Sequence, residues 1–277
     1  MPDITTSRAP TYSAALSRRE VALLAGWERE RRKYVTTGDL RGVVGGAATK
    51  VAMALVRKGA LERLQRGLYL VRPFRSLLKP ATSSAPMALS ALLHAEPHYL
   101  GGLWAFTHHG LTTQLYVSVL DAFVTRRRPS RTIGGAKVLF HVRPARFMEY
   151  GITKVNIEGV DVRVSDPERT LLDSLDHPKV VGGLRRAVQL FTHGLSSVEI
   201  EKVAEYAARG SRASTCQRVG VILERTHAPA SVLRALKKRV RGTRSLTSMI
   251  PGPRSGHVNR TWNVVENDRA LDAAATS

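Results

Sequence analysis

The stretch AATKVAMALVRKGALERLQRGLYLV, residues 47–71, constrains the fold more than any other part of the chain. Ala48, Ala52 and Leu55 recur at spacings of four and three, which places them on one face of a helix running roughly from Ala47 to Lys58. Gly59 follows, the residue that most readily takes the left-handed conformation that ends a helix. Two short apolar runs come next, 61–64 and 68–71, and the intervening Gln65, Arg66 and Gly67 have the spacing of a hairpin turn. Upstream, Ser17 and Glu20 of SRRE form a capping box for a helix that carries Val21, Leu23 and Leu24 and is expected to reach about Arg32. In YVTTGDLRGVV, Thr36 or Thr37 suits a second N-cap, with Val35, Leu40 and Val43 or Val44 on the buried side. Gly45 and Gly46 break that short helix. The succession predicts a winged helix-turn-helix over residues 17–73, in which the later helix enters a major groove and the hairpin is the wing.

The outward face of that helix would hold Thr49, Lys50, Met53 and Arg57, and the wing would present Arg63, Gln65 and Arg66; with Thr36, Thr37 and Arg41 of the preceding helix these are the candidate DNA contacts. Cations on a helix are commonly just a solvated face, and some winged helices bind only proteins. Net charge favours nucleic acid: 43 Lys plus Arg face 22 Asp plus Glu, a formal +21, and a surplus of that size attracts polyanions. Further runs, Arg126, Arg127 and Arg128 in VTRRRPSR and Lys237, Lys238, Arg239 and Arg241 in LKKRVRGTRS, are candidate secondary nucleic-acid contacts.

At 277 residues the chain has room for about two domains. RPFRSLLKPATSSAP, residues 72–86, has the Pro and Ser content of a linker, taken as 74–86 with a boundary near residue 80. Beyond it LYVSVL, KVLFHV, ITKVNI and VDVRVS read as strands, the last two joined by Glu158-Gly159. From residue 165 onward DPERTLLDSLD, GGLRRAVQLF, SSVEIEKVAEYAARG, RASTCQRVGVILERT and ASVLRALKKRV have helical spacing, and NRTWNVVEN returns to strand. The fold class expected is α+β, a winged helix followed by a larger mixed domain over 87–266 with a sheet and a C-terminal helical group. Residues 1–16 and 267–277 lack periodicity and are expected to be flexible. A single cysteine, no signal-like apolar start and no apolar run of about 18 residues make a cytoplasmic protein without membrane association the expectation.

The order of these pieces resembles the AbiEi family of antitoxins. HYLGGLWAFTHHGLTTQ (98–114) is similar to the family's aromatic-rich segment, VRVSDPERTLLDSLDHPKVVGGL (162–184) to its SDPERTLLD segment, and STCQRVGVILE (214–224) to a third, so that the likeness spans most of 17–266. It implies a winged-helix repressor of its own operon, a monomer in solution that places two copies on inverted repeats. It also implies that the C-terminal domain counteracts a nucleotidyltransferase-like toxin, directly or indirectly. The segment 236–245 is more basic than the family's pattern requires.

Residues capable of chemistry have plainer explanations. In SDPERTLLD, Asp166 or Ser165 suits an N-cap, Pro167 and Glu168 suit a first turn, and Arg169 and Asp173 lie four apart and can pair. His108 and His109 are adjacent and expected to point apart; His94 and His98 are separated by Pro97; a lone Cys216 supplies no zinc set. GVVGGAATK lacks the spacing of a phosphate loop, and Asp161 and Asp166 follow no Gly-Ser loop of a nucleotidyltransferase. The expectation is no catalysis, no metal and no cofactor. The alternatives are a nucleic-acid-processing enzyme that holds its substrate with the winged helix, a structural RNA or nucleoid binder, and a stand-alone transcriptional regulator.

Overall fold

A computed structural model describes residues 16–72, 84–133, 135–157 and 160–268; most of the ends expected to be flexible, most of the linker 74–86 and residues 158–159 lie outside the described residues. The fold is α+β. Its described residues form two compact units, one running up to Ala95 and including 132–136 and 156–162, the other comprising the rest.

In the first unit, helix α1 (Arg18–Arg29) starts at Ser17, whose hydroxyl accepts from the Glu20 amide while the Glu20 carboxylate accepts from the Ser17 amide at 2.7 Å. It ends before Arg32 because Arg31 takes φ 52°, a left-handed value that a helix cannot continue through. Tyr34–Thr36 form strand β1, too short to leave a pattern in the sequence. Thr36 then caps α2 (Thr37–Val44), Gly45–Ala47 make a 3-10 turn, and α3 runs Ala48–Arg57. Gly59 adopts φ 70° and the chain reverses into β2 (Leu61–Gln65) and β3 (Leu68–Val71). The three strands order β1-β3-β2, all antiparallel, with a bulge between Arg63 and Gln65. Leu24, Trp27, Val35, Leu40, Ala52, Leu55, Leu61 and Tyr69 close the core, and each large apolar side chain removed from water contributes about 1.5–3 kcal/mol.

Helix α4 (Ala85–Leu92) stands where the sequence predicts no helix. All eight of its residues are buried, so it has no polar face to show a helical period. Met87 and Ala91 pack with Leu70, which extends the first compact unit to Ala95, past the boundary near residue 80.

The remaining strands are β4 (His98–Gly101), β5 (Val119–Val124), β6 (Arg131–Ile133), β7 (Ala136–Val142), β8 (Ile152–Ile157) and β9 (Val160–Ser165), in the order β6-β7-β5-β4-β9-β8. LYVSVL is corrected: the strand is Val119–Val124, and Leu115 and Val117 are exposed apolar residues ahead of it. A short helix α5 (Gly102–His108) follows β4, and then come α6 (Pro167–Asp176), α7 (Leu184–Gly194), α8 (Ile200–Gly210), α9 (Ala213–Arg225) and α10 (Ala230–Val240). Residues 196–199 are not part of α8, and within NRTWNVVEN only Asn259, which ends β11 (His257–Asn259), and β12 (Val264–Glu266) are strand, in a small sheet with β10 (Thr247–Ser248).

Asp166 is the N-cap of α6, accepting from the Arg169 amide at 2.8 Å with Pro167 next. Arg169 Nε lies 2.9 Å from Asp173, and this pair is core rather than surface. Arg143 reaches Asp173 at 3.2 Å and Asp176 at 3.1 Å, and the Tyr99 hydroxyl donates to Asp173 at 2.8 Å. Burial pushes the Asp173 carboxyl up, but Arg169 and Arg143 outweigh it and hold the group below the ordinary range. Burial alone would lower the Arg169 guanidinium; Asp173 raises it, so both stay charged.

Candidate nucleic-acid interface

The first unit is built so that α3 shows one face to the core and another to solvent. Ala48, Ala52 and Leu55 are buried, whereas Thr49, Lys50, Met53 and Arg57 are exposed. Thr36 has a different employment. Its hydroxyl and amide both donate to the Asp39 carboxylate at 2.7 Å, and its hydroxyl accepts from the Asp39 amide at 3.0 Å. The Thr36 hydroxyl and then its amide draw the Asp39 carboxyl below its usual value, against burial and with help from Arg32. Thr36 is therefore committed to capping α2. Thr37 is half-buried, and its amide donates to the Gly67 carbonyl at 2.8 Å, fastening the start of α2 to the hairpin turn. Arg41, Arg63, Gln65 and Arg66 are exposed.

Cations in this unit fall into two groups. Lys58 meets Glu20 at 2.6 Å, and Arg32 meets Asp39 at 3.2 Å and Glu30 at 2.6 Å. Glu20 is pushed up by burial but ends below its usual value because Lys58 and Ser17 hydrogen-bond its charged form. Arg41, Lys50, Arg57, Arg63 and Arg66, like Arg18, Arg19, Arg29, Arg31 and Lys33 on and after α1, have no side-chain ion pair or hydrogen bond among the described residues. Residues 16–72 carry thirteen Lys or Arg against five Asp or Glu, and much of that excess sits on these unpaired side chains. Exposed, unpaired cations are chemically fit for phosphate oxygens, and Thr49 and Met53, exposed on the same helix as Lys50 and Arg57, have groups that can meet base edges.

Sequence reasoning did not find the cleft between α1 and α3. It measures about 940 Å³ and is walled by Leu23, Trp27, Val43, Val44 and Val51, with Lys50 also lining it. Its apolar walls come from helices whose individual patterns give no sign that they stand apart.

The secondary candidates belong to the other compact unit. Arg126 and Arg127 are exposed after β5, and Arg128 pairs with Glu96. Lys237, Lys238, Arg239 and Arg241 are exposed on and just after α10; Arg239 also donates to the Ser211 carbonyl at 3.3 Å.

His108 and His109 do not point apart as expected: their rings make an edge contact at 5.0 Å, because the helix ends at His108 and His109 departs from helical geometry. His109 bonds the Ser165 carbonyl at 2.6 Å, and His141 lies 2.6 Å from the Asp121 carboxylate. Among the described residues no three His, Cys, Asp or Glu side chains are grouped to hold a metal, and no helix is long and apolar enough to cross a membrane. Cys216 is buried, which pushes its thiol up to about 12.

No protein-family model matches this sequence, and no curated protein matches it. A solved structure does match: the RV2827C protein from Mycobacterium tuberculosis superposes with a TM-score of 0.65 over 96% of this chain and 97% of that one. The two share a fold. At 16% identity the likeness carries the architecture across both units and nothing of function.

Proposed function

We propose that this chain is a duplex-DNA-binding repressor of the antitoxin kind, with the first unit acting as a winged helix-turn-helix. The observation that carries the reading is the division of cations on that unit. Lys58 and Arg32 are neutralised by carboxylates, while Lys50 and Arg57 on α3 and Arg63 and Arg66 on the hairpin have no partner. At about 1.5 Å per residue, the ten residues of α3 span about 15 Å, enough to lie in a major groove about 12 Å wide. The hairpin is the wing, its arginines contacting phosphates, and Thr49, Lys50, Met53 and Arg57 are the residues that face bases. The resemblance to AbiEi antitoxins supports the rest: autorepression from inverted repeats in the chain's own promoter, in the cytoplasm, and neutralisation of a nucleotidyltransferase-like toxin through the larger domain.

The test is a titration of the full chain against its own promoter duplex and a random duplex. Lys50→Ala and Arg57→Ala are each expected to cost about 1–3 kcal/mol on the promoter and much less on random sequence. Equal losses on both would reduce these residues to phosphate contacts, and failure of the wild-type chain to bind either duplex would end the reading. For the toxin, growth rescue on co-expression with the protein of an adjacent nucleotidyltransferase-like gene is expected; no such gene, or no rescue, leaves a stand-alone regulator.

A further inference from the structure

Between Glu224 and Glu266 the chain has no acidic residue, yet residues 225–265 contain nine Lys or Arg. Helix α10 lies within this stretch. Val232, Leu236 and Val240 form its buried side, and Arg234, Lys238 and Arg241, at i, i+4 and i+7, emerge on the opposite, exposed side. Those three and Arg244 in the following loop have no ion pair or hydrogen bond among the described residues. The cations at the buried centre of the same unit are matched instead: Arg143 and Arg169 with Asp173, and Lys202 with Asp166 and Glu168. Lys237, on the flank of α10, stands 3.9 Å from Glu224 and 5.6 Å from the Trp262 ring centroid, so it is partly engaged already. Cations in a last helical turn offset the helix dipole, which accounts for Lys237, Lys238 and Arg239. It does not account for Arg234, about two turns before Arg241 along the stripe, or for the loop beyond.

We infer that the exposed side of α10, with the loop through Arg244, is a second duplex-DNA surface that grips the phosphate backbone without reading sequence. The inference rests on the DNA-binding reading above. Single-stranded nucleic acid is disfavoured as the occupant, because such sites stack bases on exposed aromatic rings and the one Phe, Tyr or Trp of residues 225–265, Trp262, is 1% exposed. A stripe about 10 Å long, from Arg234 to Arg241, is suited to neighbouring phosphates of one strand.

The experiment compares the full wild-type chain with the triple variant Arg234→Ala, Lys238→Ala, Arg241→Ala on promoter and random duplex over a salt series, with the urea midpoint as a check on folding. The variant is expected to keep its fold, to lose affinity by the same factor on both duplexes, and to show a log affinity against log salt slope shallower by about one per cation removed. An unchanged slope and affinity with wild-type binding intact overturns this inference alone. A variant that binds DNA normally but loses association with an acidic protein partner also overturns it. A wild-type chain that binds no duplex refutes both this and the reading on which it rests.

Discussion

The Thr37 amide donates to the Gly67 carbonyl at 2.8 Å, so the first residue of α2 is held by the turn of the β2–β3 hairpin. The orientation of the hairpin on the helical unit thus depends on a turn backbone, and Gly67 makes that turn at φ 80°.

Gly67→Ala should lower stability by about 1–2 kcal/mol, the cost of an L side chain in the left-handed region. An added Cβ would stand 3.4 Å from the Thr37 hydroxyl, ordinary contact, so the loss comes from backbone strain and not from collision. Gly67→Asn, which tolerates that region better, should lose clearly less. Urea unfolding of the two variants decides it: equal losses would remove the backbone as the cause.

Asp173→Ala should destabilise the protein by about 3–5 kcal/mol, since it leaves Arg169 and Arg143 buried with their shared counter-charge gone. Lys58→Ala, which breaks the partly exposed pair with Glu20, should cost about 1 kcal/mol or less. Denaturant midpoints for the two variants should differ in that order; a reversal would mean that Asp173 is not the centre of the buried network.

Stability should fall as pH is lowered from about 6.5 towards about 4. Burial, and then the adjoining Arg143 guanidinium, lower the His177 imidazole to about 4 from its ordinary 6.5. Arg143 Nε donates to His177 Nε2 at 2.9 Å, which requires the neutral ring. Between those pH values the unfolded chain takes up a proton that the folded chain refuses, so the folded state loses ground as pH drops. Asp173 and Glu20, whose folded values are depressed, add their losses lower down, as pH falls below the unfolded carboxyl range near 4. Thermal melts from pH 7 to 4 of wild type and His177→Gln test this; an undiminished slope above pH 4.5 in the variant would show that another group is responsible.

Much of the first unit could be read from local chemistry. The Ser17–Glu20 box, the Thr36 cap, the glycine stop at residue 59 and the hairpin are all decided within a few residues of the chain, and the structure has each of them. Helices α6 to α10 were equally visible, each having a polar face to set against an apolar one. Enclosed elements without a run of polar residues were hidden instead; α6 is also buried from Glu168 to Asp176, but its carboxylates, Arg169 and hydroxyls leave a helical period in the sequence. Strand β4 and helix α4 are buried throughout, so neither shows the alternation that marks an amphipathic element. The ion network was half legible: Arg169 and Asp173 are four apart, but Arg143 joins them from thirty residues away, a distance over which spacing says nothing. Of the candidate contacts, the α3 and hairpin residues are exposed, Thr36 is diverted by a cap that its own sequence context offers, and Arg128 is diverted by Glu96, thirty-two residues away.

The order β7-β5-β4-β9 places His98–Gly101 between a neighbour about twenty residues later and one about sixty later, with Leu100 opposite Val164. Contacts so distant along the chain form slowly, whereas the helices and hairpin ahead of residue 72 close over short loops. On the ribosome the helices and hairpin ahead of residue 72 would thus be formed while β4 still offers an unpaired edge, and the interval before β9 emerges is when the nascent chain most needs shielding from wrong strand partners.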